Sequence, residues 1–322
     1  MKERTGWFNP GDVMKNLISF SEYSDEEIKG ILDLAIDIKA NPEKYSKALE
    51  GKKLYTLFEK TSTRTFLSFT TGITELGGHY FNQKWEDSNF VLGDTVSEVK
   101  YLCRNVDIIM ARLKKSETTD LFAKNSTVPF INGCDNTFHP CQALADVLTL
   151  YEKFGTYNVK LLYIGAKNNV FNSLIELLPR LGGTVYGLTP IVNDMGVDDK
   201  FYEDIKAKGG YVEVDAHVSS DEFKELAKTV DAVYTDTWVD MEFFNNPAFA
   251  KKKEETVALM SPYQINEDML EGSKAIVLHD MPMHIGYEIS QGIVDKHMDT
   301  IIDQAENRRH AEKAVMVKLL SE

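Results

Sequence analysis

Short apolar strands alternate with amphipathic helices along nearly the whole chain, and the alternation restarts once, near residues 155–159. A strand followed by a helix and then another strand makes a crossover, so repeated alternation gives a parallel sheet with helices on both faces. The first run opens at Ser24-Asp25-Glu26-Glu27, a capping box. Ile28, Ile31, Leu32, Ala35 and Ile38 follow at helical spacing and predict a helix to about Ala40, stopped by Asn41-Pro42. After it the pattern predicts strand 53–58, helix 65–76, strand 79–82, helix 94–104, strands 107–111 and 128–132, and helix 140–153. The second run predicts strand 159–164, helix 169–181, strand 184–188, helix 199–208, strand 211–215, helix 221–229, strand 231–235, helix 264–271 and strand 275–279. A chain of 322 residues is long for a single core. The expected fold class is therefore α/β: two doubly wound parallel-sheet domains, divided at residues 147/148, with the second running to 302.

Directly after the first strand stands Ser62-Thr63-Arg64-Thr65, at the start of the next helix. A helix N-terminus presents backbone N–H groups that lack intrahelical partners, and its dipole favours an anion there. Three hydroxyls add directional hydrogen bonds and the Arg64 guanidinium can take two phosphate oxygens at once. The tetrapeptide reads as a phosphate cradle, with plain N-capping as the simpler alternative.

Other candidate ligands stand at the ends of further elements. Arg112 closes strand 107–111, His139-Pro140-Cys141-Gln142 opens helix 140–153, and Glu306-Asn307-Arg308-Arg309-His310 lies near the C-terminus. Together with Phe58-Glu59-Lys60-Thr61-Ser62-Thr63-Arg64-Thr65, Asn168-Asn169-Val170-Phe171-Asn172-Ser173, Thr235-Asp236-Thr237-Trp238 and Gln304-Ala305-Glu306-Asn307-Arg308, these motifs occur in fixed order. In that order the chain resembles the aspartate/ornithine carbamoyltransferase family, its ornithine branch more than its aspartate branch, over almost the whole length.

The resemblance implies transfer of a carbamoyl group from carbamoyl phosphate to an amine, with L-ornithine the leading acceptor and citrulline the product. The same reaction on putrescine, lysine or a modified ornithine, and a non-catalytic ligand-binding homologue, are the alternatives. It further implies that Ser62, Thr63, Arg64, Thr65, Arg112 and Arg308 hold phosphate, and that His139 and Gln142 contact the carbamoyl group. Arg64, Arg112, His139, Gln142 and Asp280 are the residues expected to act on the reacting atoms. Asn168 and Asn169 match positions that bind the amino-acid carboxylate, and Asp236 matches the partner of the α-ammonium. Asp240, Met241, Asp280 and Met281 fall in the amine pocket. The final helix, about 303–322, is expected to pack back on the first domain. Family members assemble as trimers, which makes a homotrimer the expected state, with Lys84, Trp85 and Glu86 the candidates for reaching a neighbouring subunit.

The departures from the family pattern concentrate at the amine end. Its Ser-Met-Gly after the tryptophan is here Asp240-Met241-Glu242, and its His-Cys-Leu-Pro is His279-Asp280-Met281-Pro282. Two added carboxylates repel an approaching substrate carboxylate and favour a more cationic amine. Phe66 also stands where the family usually has a second arginine.

Bulk properties narrow the remaining classes. A formal charge of -14 lacks the basic footprint a nucleic acid needs, so an anionic substrate must be held by a local cluster. No apolar run approaches the ~20 residues needed to span a membrane, and the start Met1-Lys2-Glu3-Arg4 does not read as a signal peptide. Three cysteines, Cys103, Cys134 and Cys141, suggest reduced thiols. The expectation is a cytoplasmic enzyme without metal or other cofactor, and without nucleic-acid or membrane partners.

Overall fold

The computed structural model describes residues 16–192, 199–215, 218–239 and 241–321. Two parallel sheets are present. The first has the order β2-β1-β3-β4, built from β1 (Lys53–Phe58), β2 (His79–Lys84), β3 (Ile108–Arg112) and β4 (Phe130–Cys134). The second has the order β7-β6-β5-β8-β9, built from β5 (Lys160–Lys167), β6 (Thr184–Val192), β7 (Tyr211–Glu213), β8 (Ala232–Thr235) and β9 (Ile276–His279). Every pairing is parallel, as the crossovers demand. Central strands such as Leu-Leu-Tyr-Ile-Gly in β5 are buried on both faces, whereas the edge strand β2 is mostly exposed and polar.

Helices of the first run are α1 (Asp25–Ala40), α2 (Pro42–Tyr45), α3 (Thr63–Glu75), α4 (Thr95–Leu102), α5 (Ser116–Asn125) and α6 (Pro140–Phe154). The second run contains α7 (Asn169–Leu177), α8 (Asp199–Lys208), α9 (Ser220–Thr229), α10 (Met241–Phe244), α11 (Ala250–Met260) and α12 (Gln291–Leu320). The capping box at Ser24 forms, with both reciprocal hydrogen bonds. The chain divides into two compact units: described residues up to Asp135 with those from Arg309 onward, and Asn136–Arg308. Both α6 and the first part of α12 therefore lie in the second unit.

Within the first unit the end of α12 lies on α3. A Cβ at Gly72 would come within 3.1 Å of Lys313 Cγ and 3.3 Å of Met316 Cε, so a glycine suits this close approach. Lys313 and Arg309 both reach Glu75, at 2.8 and 3.3 Å. In the second unit a Cβ at Gly187 would meet the Phe171 ring at 2.7 Å, which lets α7 press against β6.

Some elements differ from the sequence reading. The predicted helix 264–271 is absent: Ile265 forms a bridge with Ile289, and Asn266 Oδ1 accepts the Met269 amide at 2.9 Å, closing a turn. A helix does lie nearby, at α11. The helix expected over 169–181 ends as α-helix at Leu177 and continues as a 3₁₀ turn over Leu178–Leu181, since Pro179 supplies no N–H. The final helix begins at Gln291, twelve residues before its expected start.

Candidate active site

In the first unit the motif Ser62-Thr63-Arg64-Thr65 occupies the N-cap and first turn of α3. Ser62 is extended (φ -161°) and its Oγ accepts the Thr65 amide at 3.2 Å. Its hydroxyl also meets Thr65 Oγ1 at 3.0 Å. No acidic residue stands in this turn, in contrast to Asp25, Glu26 and Glu27 in α1, so the dipole's positive end is not neutralised by the helix itself. Arg112, the last residue of β3, brings Nη1 to 3.5 Å from Thr65 Oγ1. β1 and β3 are neighbours in register, with Phe58 beside Arg112, and this puts both motifs at one end of the sheet. Glu59 braces them: its amide donates to the Arg112 carbonyl at 2.9 Å and its Oε2 accepts the Lys114 amide at 2.8 Å. Nothing but its place in the motif had singled out Glu59. Ser62, Thr63, Arg64, Thr65 and Arg112 thus come together within one unit.

Trp85 stacks on Phe90 at 5.3 Å and joins the core containing Phe122, so its ring packs inside its own unit, while Lys84 and Glu86 are exposed.

In the second unit His139 is the N-cap of α6, buried, with no side-chain capping bond; its amide donates to Ser173 Oγ of α7 at 2.8 Å. Simple capping therefore does not account for this histidine. One turn on, Gln142 Nε2 donates to Asp146 Oδ1 at 2.8 Å, and Asp146 Oδ1 also accepts Gln304 Nε2 at 2.7 Å. Arg308, on the same helix as Gln304, is 2% exposed.

Asn168 caps α7. Its Oδ1 accepts the Phe171 amide at 3.0 Å and its Nδ2 donates to Asp236 Oδ2 at 2.6 Å. That carboxylate also accepts its neighbour's amide, from Thr237, at 2.5 Å. Asn169 Oδ1 accepts the Val170 amide at 2.9 Å. Asn168 therefore positions Asp236, while the half-buried Asn169 stands at the start of α7.

Asp236 and Asp280 follow β8 and β9, which pair Thr235 with His279. Burial first, then the charge of Asp280 and a hydrogen bond to it, push the Asp236 carboxyl well above the usual carboxylate range. Asp146 is pushed up to about 7, by burial and, more weakly, by Asp280, against the opposing hydrogen bonds from Gln304 and Gln142. His279 lies between Asp280 (Nδ1 to Oδ1, 3.5 Å) and the buried Glu288 (Nε2 to Oε1, 3.2 Å). Burial alone would lower its pKa; the hydrogen bonds to the two carboxylates outweigh it and lift it to about 9. The Met281 amide donates into His279 Nδ1 at 2.9 Å, which requires that nitrogen's lone pair, so ring protonation and this loop contact exclude each other. Met281 itself has φ +60°, an uncommon backbone for a side chain of its size. Asp240 lies outside the described residues, as does the side chain of Met241.

Among the described residues no group of three or more His, Cys, Asp or Glu could hold a metal ion, and no helix is long and apolar enough to cross a membrane.

These features define a doubly wound α/β protein with a helix start rich in hydroxyls, beside Arg112, at the sheet end of one unit and an amide and carboxylate network in the other. The chain belongs to the aspartate/ornithine carbamoyltransferase family: the carbamoyl-P binding domain of the family matches residues 15–152 and the Asp/Orn binding domain matches residues 157–319. It is 37% identical over 317 residues to the ornithine carbamoyltransferase of Shewanella oneidensis, covering 96% of this chain and 100% of that protein. The ornithine carbamoyltransferase of Archaeoglobus fulgidus is 35% identical over 314 residues, covering 95% of this chain and 98% of that protein. Among solved structures, the ornithine carbamoyltransferase from Pyrococcus furiosus matches with a TM-score of 0.83 at 33% identity, covering 94% of this chain and 96% of that one.

Proposed function

We propose that this protein transfers the carbamoyl group of carbamoyl phosphate to the side-chain amine of L-ornithine, giving citrulline and phosphate. The observation that carries this reading is the cradle: Ser62 to Thr65 in the first turn of α3 with Arg112 alongside Thr65, in a chain whose relatives are ornithine carbamoyltransferases over their full length. Ser62, Thr63, Arg64, Thr65, Arg112 and Arg308 bind the phosphate. Thr65 and Arg112 donate to the carbonyl oxygen on which charge develops, and His139 and Gln142 contact the carbamoyl group. The departing phosphate takes the amine's proton, so no protein nucleophile or covalent intermediate is needed. Asn168 and Asn169 serve the acceptor's carboxylate, Asp236 its α-ammonium, and Asp240, Met241, Asp280 and Met281 the rest of the amine.

A second reading, the same transfer to another amine, is favoured by one residue. Asp280 places a carboxylate beside Asp236, where a cationic acceptor such as a diamine gains and an acceptor carboxylate loses. The assembly we infer is a homotrimer or a multiple of one, and the compartment the cytoplasm, in keeping with an odd number of cysteines, three, which suggests reduced thiols.

A colorimetric assay for ureido product, with carbamoyl phosphate and separate samples of ornithine, putrescine, lysine and N-acylated ornithine, tests the reading. Turnover of ornithine is expected. Turnover of another amine alone transfers the assignment to that amine, and silence across the panel overturns it.

A further inference from the structure

We infer that Asp146 and Gln304 are positioning residues: they hold the amide of Gln142 in one orientation, oxygen away from Asp146, and tie it to the strand end that carries His279 and Asp280. The link runs through three elements of the second unit. Asp146 Oδ1 accepts from Gln142 Nε2 at 2.8 Å and from Gln304 Nε2 at 2.7 Å, and Gln304 Oε1 in turn accepts the His279 amide at 2.9 Å. Gln142, Asp146, Gln304 and His279 are all at most 1% exposed.

The direction of the link is chemically forced. A glutamine side chain has a donor end and an acceptor end of nearly equal shape, and packing alone does not choose between them. Asp146 Oδ1 accepts whether the carboxyl is ionised or carries its proton on Oδ2, so it takes the NH₂ of both glutamines. Gln304 Oε1 is thereby turned to the His279 N–H, and a flipped Gln304 would set NH₂ against N–H. Gln142 Oε1 is turned away from Asp146, and it is buried without a protein hydrogen-bond partner. A buried acceptor left in that state costs free energy, so the oxygen is suited to a donor that arrives with a ligand. A carbamoyl NH₂ is such a donor. This step rests on the assignment of Gln142 to the carbamoyl group under the proposed function.

Stability does not explain the carboxylate. Replacing buried charges by well-packed apolar groups is often neutral or stabilising. The α6–α12 seam has other ties, since Asn307 Nδ2 donates to Thr149 Oγ1 at 2.9 Å and to Glu152 Oε2 at 2.8 Å. Burial raises the Asp146 pKa to about 7, so ionising this carboxyl near neutrality costs the fold stability. What the carboxylate adds is orientation, shared between Gln142 and the backbone of His279.

Two measurements test this on the intact protein. The first is the side-chain amide spectrum of glutamine-labelled protein, sparse because the chain has five glutamines. The Gln142 and Gln304 signals are expected to move together in Asp146→Leu and to stay near their wild-type positions in Asp146→Asn, whose Oδ1 can still accept both. Unchanged signals in Asp146→Leu overturn the link whether or not the protein turns over any amine. The second is steady-state kinetics with the amine that the panel identifies. Asp146→Leu is expected to lower kcat/KM for carbamoyl phosphate by about 100-fold and Asp146→Asn to hold it within about fivefold, because the first removes an orienting acceptor and the second keeps it. Gln304→Leu is expected to raise the amine KM by about tenfold with the carbamoyl phosphate KM little changed. Variants that lose thermal stability while keeping both KM values and kcat are purely structural and overturn the positioning role. A wild type without ureido product refutes the proposed function instead, and leaves the amide spectra to decide the link.

Discussion

Asp236 and Asp280 leave adjacent parallel strands at the same level, because the register of β8 and β9 sets Thr235 opposite His279. Parallel strands lie ~4.8 Å apart, so the two side chains are neighbours at the sheet end. Burial first, and then the charge of Asp280 so close by, hold Asp236 well above the usual carboxylate range. Replacing the charge of Asp280 with a thiol, Asp280→Cys, lets Asp236 ionise more easily and removes the repulsion felt by an acceptor carboxylate. The ratio of kcat/KM for ornithine to that for putrescine is expected to rise by about tenfold, equivalent to about 1.4 kcal/mol. Competition between the two amines reads this directly, and an unaltered ratio discards Asp280 as the specificity switch.

The cradle separates binding from capping. Arg64→Ala removes a guanidinium able to make two charge-assisted hydrogen bonds, each worth about 1.5–3 kcal/mol, so kcat/KM for carbamoyl phosphate is expected to fall by about 10²–10⁴-fold. Thermal stability should change little. Ser62→Ala should do the opposite in stability, losing about 1 kcal/mol with the hydrogen bond from Ser62 Oγ to the Thr65 amide. Initial-rate kinetics and thermal unfolding of both variants check the contrast, and unchanged kinetics in Arg64→Ala take that residue out of the site.

Asp146 makes a statement about pH. Its carboxyl titrates near 7 in the folded protein, against an unfolded value of about 3.9. Between those values the folded state binds the proton that the unfolded chain releases, so folding stability falls as pH rises from about 4 through 7. Asp146→Asn cannot titrate. The difference in Tm, wild type minus variant, should be most favourable to wild type near the acid end and decline across the window, a loss of a few kcal/mol at about 1.4 per pKa unit. A difference that stays flat from pH 4.5 to 8 would contradict an ionisable Asp146 in this environment.

The alternation of strands and helices, and the positions of Ser62, His139, Asn168, Asp236 and Asp280 at element ends, were legible because each is a local pattern: a period, a cap or a strand terminus. Failures came where local pattern and tertiary context disagree. Residues 264–271 have helix-forming composition, yet Ile265 is drawn to Ile289 and Asn266 prefers its own turn. α11 was unreadable for the opposite reason, as only Met260 is buried and the polar run Lys251-Lys252-Lys253-Glu254-Glu255 carries no apolar stripe. The partnership of Asp146 with Gln304 spans 158 positions, and no spacing rule reaches that far. Asp146 with Gln142 could have been found, since residues four apart share a helix face.

His279 offers a test of the strand end itself. Against burial, Asp280 first and then Glu288, fully buried and 3.2 Å from Nε2, raise the imidazole pKa to about 9. A histidine whose pKa is higher folded than unfolded contributes stability that is fully present below about 6.5 and is lost as pH rises through the folded value. Glu288→Gln keeps the side-chain shape and an acceptor but withdraws the charge, so the His279 pKa should fall from about 9 by one unit or more, roughly the effect of losing a close opposite charge. The loss of stability with rising pH should then begin and end closer to 6.5, an ordinary value for about any histidine. Titration of the imidazole C–H signals by NMR measures the shift. Because the Met281 amide can donate into Nδ1 only when that nitrogen is unprotonated, the same titration should bring the Met281 amide signal with it in wild type, and at lower pH in the variant. A Met281 amide that ignores the histidine's titration would mean that the loop carrying Asp280 is held by something other than His279.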